Sequence, residues 1–428
     1  MRWFLQMMGW GRAILLIVIA LGLAFWAMLI AVSPPALIDN LDSATPTPEL
    51  IEKGRYLATA GGCMICHTGL EGAPYAGGHA FHTPFGTIYS TNITPDDETG
   101  IGLWTETEFR RAMREGVDAD DQHLYPVFPY QSYSKVSDED VSAIFAYLRT
   151  IQPESHVPPE NDLKFPFGWR VLIGVWKALY QKERGYQPDP SQSVDWNRGA
   201  YLVEGLAHCG ACHTPRNALG AERRELAHTG ATYLDEVVDG MIRPWSAVNL
   251  TSSPAGLGPW SIEDLAKYLK TGHSQRAGTF GPMNKVIVNN TSHLTDEDIN
   301  AMAIYLKSLP GIDRNEPQII SAEEFQKGKH VYSIHCATCH LPTGLVNEKG
   351  PPVAGSAVVL APDPASLINV ILYGAVVPEP RPDHAWDSME GFELKLDDEE
   401  VAALANYMRT SWGHAAGKVT TGQVEAQR

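Results

Sequence analysis

Six cysteines occur in the chain, and all six fall in three copies of Cys-x-x-Cys-His: Cys63-Met-Ile-Cys66-His67, Cys209-Gly-Ala-Cys212-His213 and Cys336-Ala-Thr-Cys339-His340. Two thiols three residues apart can add to the vinyl groups of one porphyrin, while the adjacent imidazole ligates its iron from below. Cys-x-x-Cys alone would also suit a redox dithiol or half of a zinc site. A histidine after every pair, with no cysteine left over, favours haem. The spacing therefore predicts three covalently bound haem c groups, with His67, His213 and His340 as proximal ligands. A chain so equipped carries electrons.

A sixth ligand is expected from a loop after the middle helix of each unit, where methionine sulfur favours ferrous iron. Met283, eleven residues after Gly272, and Met389, fifteen after Gly374, occupy such loops. The first unit breaks the pattern, because Phe128 stands twelve residues after Gly116 and cannot ligate iron. Three alternatives stay open there: Met113, an open or water-bound iron, or a histidine among His79, His82 and His123. Arg216, directly after the second motif, is a candidate for binding haem propionates. Asn92 and Asn249 are further candidates, with turn formation as their other reading. Pro84 and Pro215 are candidates for backbone carbonyls that orient the proximal imidazoles.

The positioning elements repeat as well. Each motif follows a helical pattern containing glycine: Glu52-Lys-Gly-Arg-Tyr-Leu57, Asn197-Arg-Gly-Ala-Tyr-Leu202 and Gln326-Lys-Gly-Lys-His-Val331. Each unit closes on an acidic start and an apolar run of helical period, beginning at Asp138, Asp296 and Asp398. Glycine in the first helix lets the last helix approach closely. Middle helices are expected after the N-caps Thr105 and Ser261, ending at Gly116 and Gly272, with a shorter counterpart from Ser366 to Gly374. The expected fold is mainly α, with units at 48–160, 190–312 and 320–412, a linker at 161–189 and a polar tail at 413–428. Within the linker, Phe165 to Tyr180 is too short and broken to span a bilayer; it suits an interfacial or docking segment, or packing between units.

Residues Ala13 to Val32 form an uninterrupted apolar stretch of 20, preceded by Arg2 and Arg12. That pattern predicts a single N-terminal transmembrane helix, residues 1–47 forming anchor and linker, with the haem units on the periplasmic side of a bacterial cytoplasmic membrane. A cleaved export signal is the competing reading. A formal charge of -17 argues against nucleic acid as a partner and suits docking to a basic protein patch.

The chain resembles the triheme cytochrome c subunit of bacterial membrane-bound dehydrogenases acting on alcohols, aldehydes or sugars. The resemblance rests on Tyr89-Ser-Thr-Asn-Ile-Thr-Pro95, Leu124-Tyr-Pro-Val-Phe-Pro-Tyr130, His208-Cys-Gly-Ala-Cys-His-Thr-Pro-Arg-Asn217 and Arg409-Thr-Ser-Trp-Gly413. It implies three tandem class I-like cytochrome c domains that take electrons from a molybdenum, quinoprotein or flavin-type catalytic subunit, with a small iron–sulfur subunit as a further partner. It also implies delivery to quinone or another respiratory acceptor. The chain has no Gly-rich nucleotide fingerprint, so it is expected to be non-catalytic toward the organic substrate. The apolar N-terminus and the Tyr-Pro-Val-Phe-Pro loop tilt the donor toward an aldehyde dehydrogenase. A standalone cytochrome carrier and a peroxidase working at haem 1 are the alternatives.

Overall fold

The computed structural model describes residues 46–181, 185–236, 241–377 and 386–428, with Leu16, Ile17, Ile19, Ala20, Gly22 and Phe25. Its framework is three helix triplets, the second carrying one extra helix. The first comprises α1 (Pro48–Ala60), α2 (Glu106–Glu115) and α3 (Asp138–Leu148). A linker helix, α4 (Val171–Tyr180), precedes the second set: α5 (Val194–Tyr201), α6 (Ile262–Thr271), α7 (Pro282–Asn289) and α8 (Asp296–Ser308). The third comprises α9 (Ala322–His335), α10 (Ala365–Tyr373) and α11 (Asp398–Thr410).

Local chemistry sets the helix ends. Thr105 closes a capping box with Glu108, Ser261 accepts from the Asp264 amide, and Gly116 and Gly272 stop their helices at φ 64° and 72°. First and last helices of each triplet cross at glycine. A Cβ on Gly54 would lie 1.8 Å from the Ala143 carbonyl oxygen, and on Gly199 and Gly328 it would lie 2.0 Å from those of Ala301 and Ala403. Only glycine permits that contact.

Small antiparallel sheets, which periodicity did not reveal, interrupt the helices. Strands β1 (Ala80–Thr83), β2 (Gly86–Tyr89) and β3 (Asp162–Leu163) form one sheet; β4 (Ala231–Glu236) and β5 (Ile242–Ala247) form a hairpin. Ala80 pairs with Tyr89, and Ala231 with Ala247. Both hairpins lie between a Cys-x-x-Cys-His motif and its middle helix.

The transmembrane expectation is corrected. Among the described residues no helix is long and apolar enough to cross a membrane. Of Ala13 to Val32 only six residues are described, so the predicted span lies almost wholly outside them. An apolar window measures length and hydropathy without establishing that a continuous helix forms. Among the described residues the fold is mainly α with small antiparallel sheets and holds no membrane-spanning helix.

The first two triplets share one continuous core, in which Leu57, Val141 and Ile144 meet Leu202, Leu206 and Leu306; the third has its own, around Val331, Ile368 and Leu404. Residues 413–428 fold back on the third unit: Val419 and Val424 are buried, and the Arg428 Nε donates to Asp398 at 2.6 Å. Helix α4 packs between the first two units, its Trp176 indole donating to the Leu219 carbonyl at 2.9 Å. Phe165 and Trp169, preceding it, remain exposed.

Candidate haem-binding sites

Each Cys-x-x-Cys-His motif closes as one helical turn. The histidine amide donates to the first cysteine's carbonyl at 2.9 Å for His67 and Cys63, 3.0 Å for His213 and Cys209, and 2.9 Å for His340 and Cys336. One turn brings residues three apart to the same face, so both thiols can address one porphyrin. No disulfide joins any of the six cysteines. Burial pushes Cys63, Cys209 and Cys336 up to about 12, away from the thiolate that a redox dithiol needs. Among the described residues no group of three or more His, Cys, Asp or Glu side chains gathers to hold a bare metal ion, as zinc would require.

The imidazoles carry the clearest signature. Nδ1 of His67 lies 2.7 Å from the Thr91 carbonyl oxygen, that of His213 2.7 Å from Val248, and that of His340 2.8 Å from Pro351. Such a bond makes Nδ1 the protonated nitrogen and leaves Nε2 with a lone pair for iron. Burial holds all three rings below the usual histidine range, His213 down to about 4, which keeps them neutral. The residues therefore fit haem c: paired thiols for attachment and a pre-oriented neutral imidazole beside them. When bound, haem supplies one-electron iron chemistry, and the chain holds and orients the proximal nitrogen.

The accepting carbonyls differ from those expected. Pro84's carbonyl accepts from Lys164 and Pro215's from the Arg223 amide. The hairpins explain the substitution: β2 ends two residues before Thr91, and β5 ends one before Val248. Asn92 and Asn249 follow at once and form turns. Their Oδ1 atoms accept from the Thr94 and Thr251 amides, and their Nδ2 atoms donate to Glu154 and Ile312 carbonyls, clamping each loop to the chain beyond the last helix. Arg216 is exposed; it donates to Gly220 at 2.8 Å and to Ala211, inside the attachment turn, at 3.0 Å.

The methionines separate by location. Met283 opens α7 and Met389 pairs in a bridge with Ala375, both partly buried at the edges of their cores. Met113 lies on α2, 5% exposed, in a cluster with Phe109 and Phe145. Phe128 stacks on Tyr133 with ring centroids 5.4 Å apart. Among the histidines near the first unit, His79 packs edge-on against Phe81, and Nδ1 of His82 faces Thr87. His123 is buried with Nδ1 3.1 Å from Lys177 Nζ; burial lowers that amine to about 7.

One charged residue escaped the sequence reading. Tyr201 precedes Cys209 by eight residues, whereas Tyr56 precedes Cys63 by seven. The additional residue is absorbed as a π-helical turn, Leu202–Leu206, in which the Ala207 amide donates to Leu202 at 2.8 Å. That turn carries Glu204, and the changed spacing was its available signal.

Residues 51–152 match the model of the cytochrome c family, and residues 323–408 match cytochrome c oxidase, cbb3-type, subunit III. A nicotinate dehydrogenase subunit of Pseudomonas putida is 41% identical over 404 residues, 91% of this chain, but the match spans only 32% of that longer protein. The cytochrome c subunit of alcohol dehydrogenase (quinone) of Komagataeibacter europaeus is 37% identical, covering 89% of this chain and 84% of its own. The cytochrome c subunit of gluconate 2-dehydrogenase of Pantoea cypripedii is 38% identical, with 87% and 88% covered. With Cys-x-x-Cys-His motifs suited to covalent haem attachment and the last two relatives matched along most of their length, the chain belongs to the family of cytochrome c subunits of bacterial dehydrogenase complexes.

Proposed function

We propose that the chain is a triheme electron-transfer subunit that takes electrons from a dehydrogenase's catalytic subunit and passes them to quinone. The observation that carries this reading is the triple repeat of a neutral imidazole, Nδ1 on a carbonyl, directly after paired thiols. The names of the relatives support the donor and acceptor classes. Within that donor class, the tilt of the Tyr125–Tyr130 loop toward an aldehyde-oxidising enzyme is the finer proposal. Cys63, Cys66, Cys209, Cys212, Cys336 and Cys339 would attach the haems, and Met283 and Met389 would ligate the second and third. The three units keep the boundaries 48–160, 190–312 and 320–412.

Contacts between units support a continuous route. The attachment turn Cys63–Cys66 packs against α7, which carries Met283. Beyond it, Asn284 Nδ2 donates to the Val376 carbonyl at 3.2 Å, and the His273 and Trp386 rings meet at 4.3 Å, joining the loops that hold Met283 and Met389. The second unit thus stands between the first and the third. Intact mass with haem staining tests the stoichiometry. Three haems per chain are expected, with one lost on replacing Cys209 and Cys212 together; two in the native protein would overturn the reading.

A further inference from the structure

Glu204 lies on the π-helical turn, five residues before Cys209, and its carboxylate is held from three sides. Nε2 of His228 lies 2.5 Å from Oε1, the Tyr305 hydroxyl donates to Oε1 at 2.8 Å, and Lys135 Nζ donates to Oε2 at 3.1 Å. The partners come from the first unit, from α8 and from the loop after the second motif. Its side chain is only 25% exposed, facing a cavity of about 200 Å³ lined by Ser132, Lys135, Gly210, Thr214, Glu222 and His228. Gly210 belongs to the attachment turn itself. Burial opposes the ionised form, but His228, Lys135 and Tyr305 together hold the carboxyl well below the usual range.

Three observations separate this cluster from ordinary packing. In the first unit the position three beyond the repeat tyrosine is Thr59, so the carboxylate is particular to the second. A π-helical turn, which such a position does not otherwise need, presents it. Nδ1 of the buried His228 has no hydrogen-bond partner among the described residues, an orphan that a cluster evolved for packing alone would not leave.

We propose that Glu204 is a tuning residue for the haem attached at Cys209 and Cys212, lowering that haem's midpoint potential relative to the other two. A fixed negative charge near the porphyrin edge stabilises ferric iron more than ferrous, because the ferric centre bears one further positive charge. Lys135 partly offsets it, so the two residues act with opposite sign. The inference rests on the triheme reading through the second motif.

Potentiometric titration of the full haem-bearing chain, followed optically, tests it. Glu204→Gln is expected to raise one midpoint and leave the others in place. The change should be on the order of tenfold in that haem's oxidised-to-reduced ratio, as for one charge within about 10 Å at protein dielectric. Glu204→Asp should restore most of it. Lys135→Met, which keeps the carboxylate and its other two partners, should move the same midpoint the opposite way and serves if Glu204→Gln does not fold. Unmoved midpoints in both variants, or equal movement of all three, would overturn the proposal. Absence of haem from the second motif in the native mass spectrum would instead overturn the triheme reading beneath it.

Discussion

Met113 and Met283 each lie in helical segments that border the shared core, yet their positions assign them different work. Met113 is level with Leu269 of α6 in the glycine register, and both are buried in that core. A leucine cannot ligate iron, and on that equivalence we propose that Met113 packs rather than ligates. Met113→Ala should cost about 2–5 kcal/mol of stability, read as a lower melting temperature, and leave the count of methionine-ligated haems by magnetic spectroscopy unchanged. Loss of one such signal would make Met113 a ligand. Met283→Ala and Met389→Ala should each abolish one signal and lower one midpoint, because thioether ligation favours ferrous iron. The attachment turns and their proximal histidines were legible because the chemistry is written in types and short spacings. The carbonyls of Thr91, Val248 and Pro351 were not, because they lie 24, 35 and 11 residues downstream and reach the imidazoles only through tertiary folding.

At the scale of elements, the helix crossings at Gly54, Gly199 and Gly328 give the sharpest test. The nearest atoms to an added Cβ are backbone, which cannot rotate away. Gly199→Ala should therefore cost at least about 1–3 kcal/mol through overpacking, measured by denaturant unfolding. A neutral result would show that the helices separate cheaply. These crossings, the caps at Thr105 and Ser261 and the glycine stops could be read from sequence, since each is set by a few neighbouring residues. The strands could not: β1 and β2 are four residues each, too short for an alternating pattern to stand out, and their pairing needs a turn at Pro84-Phe85. The tail at 413–428 looked polar, yet its two valines, Val419 and Val424, are fully buried. Composition averages hid them.

Across the whole molecule, the first two units are locked reciprocally. Lys53 and Asp140 pair at 2.6 Å, and Asp140 also accepts from the Tyr201 hydroxyl at 2.6 Å; Arg198 grips Asp298 through two bonds of 2.7 Å, and the Tyr56 hydroxyl joins at 2.6 Å. Equivalent residues of each repeat thus reach into the other, the self-complementary pattern of a two-fold interface within one chain. Burial disfavours the Asp298 carboxylate, but Arg198 and Tyr56 outweigh it and hold the group below its ordinary value. A depressed carboxyl contributes stability above its unfolded value near pH 4, lost as pH falls through the lowered one. Asp298→Asn should cost about 1–3 kcal/mol at neutral pH and flatten stability against pH on the acid side; an unchanged acid limb would remove Asp298 from the lock.

That lock fixes the second unit against the first, and the proposed function makes the second unit the relay to quinone. The most direct measurement compares two activities of the purified dehydrogenase complex when Cys209 and Cys212 are both replaced by serine. Reduction of an artificial dye at the catalytic subunit should persist while quinone reduction is lost. Undiminished quinone reduction by a complex lacking that haem would contradict the relay.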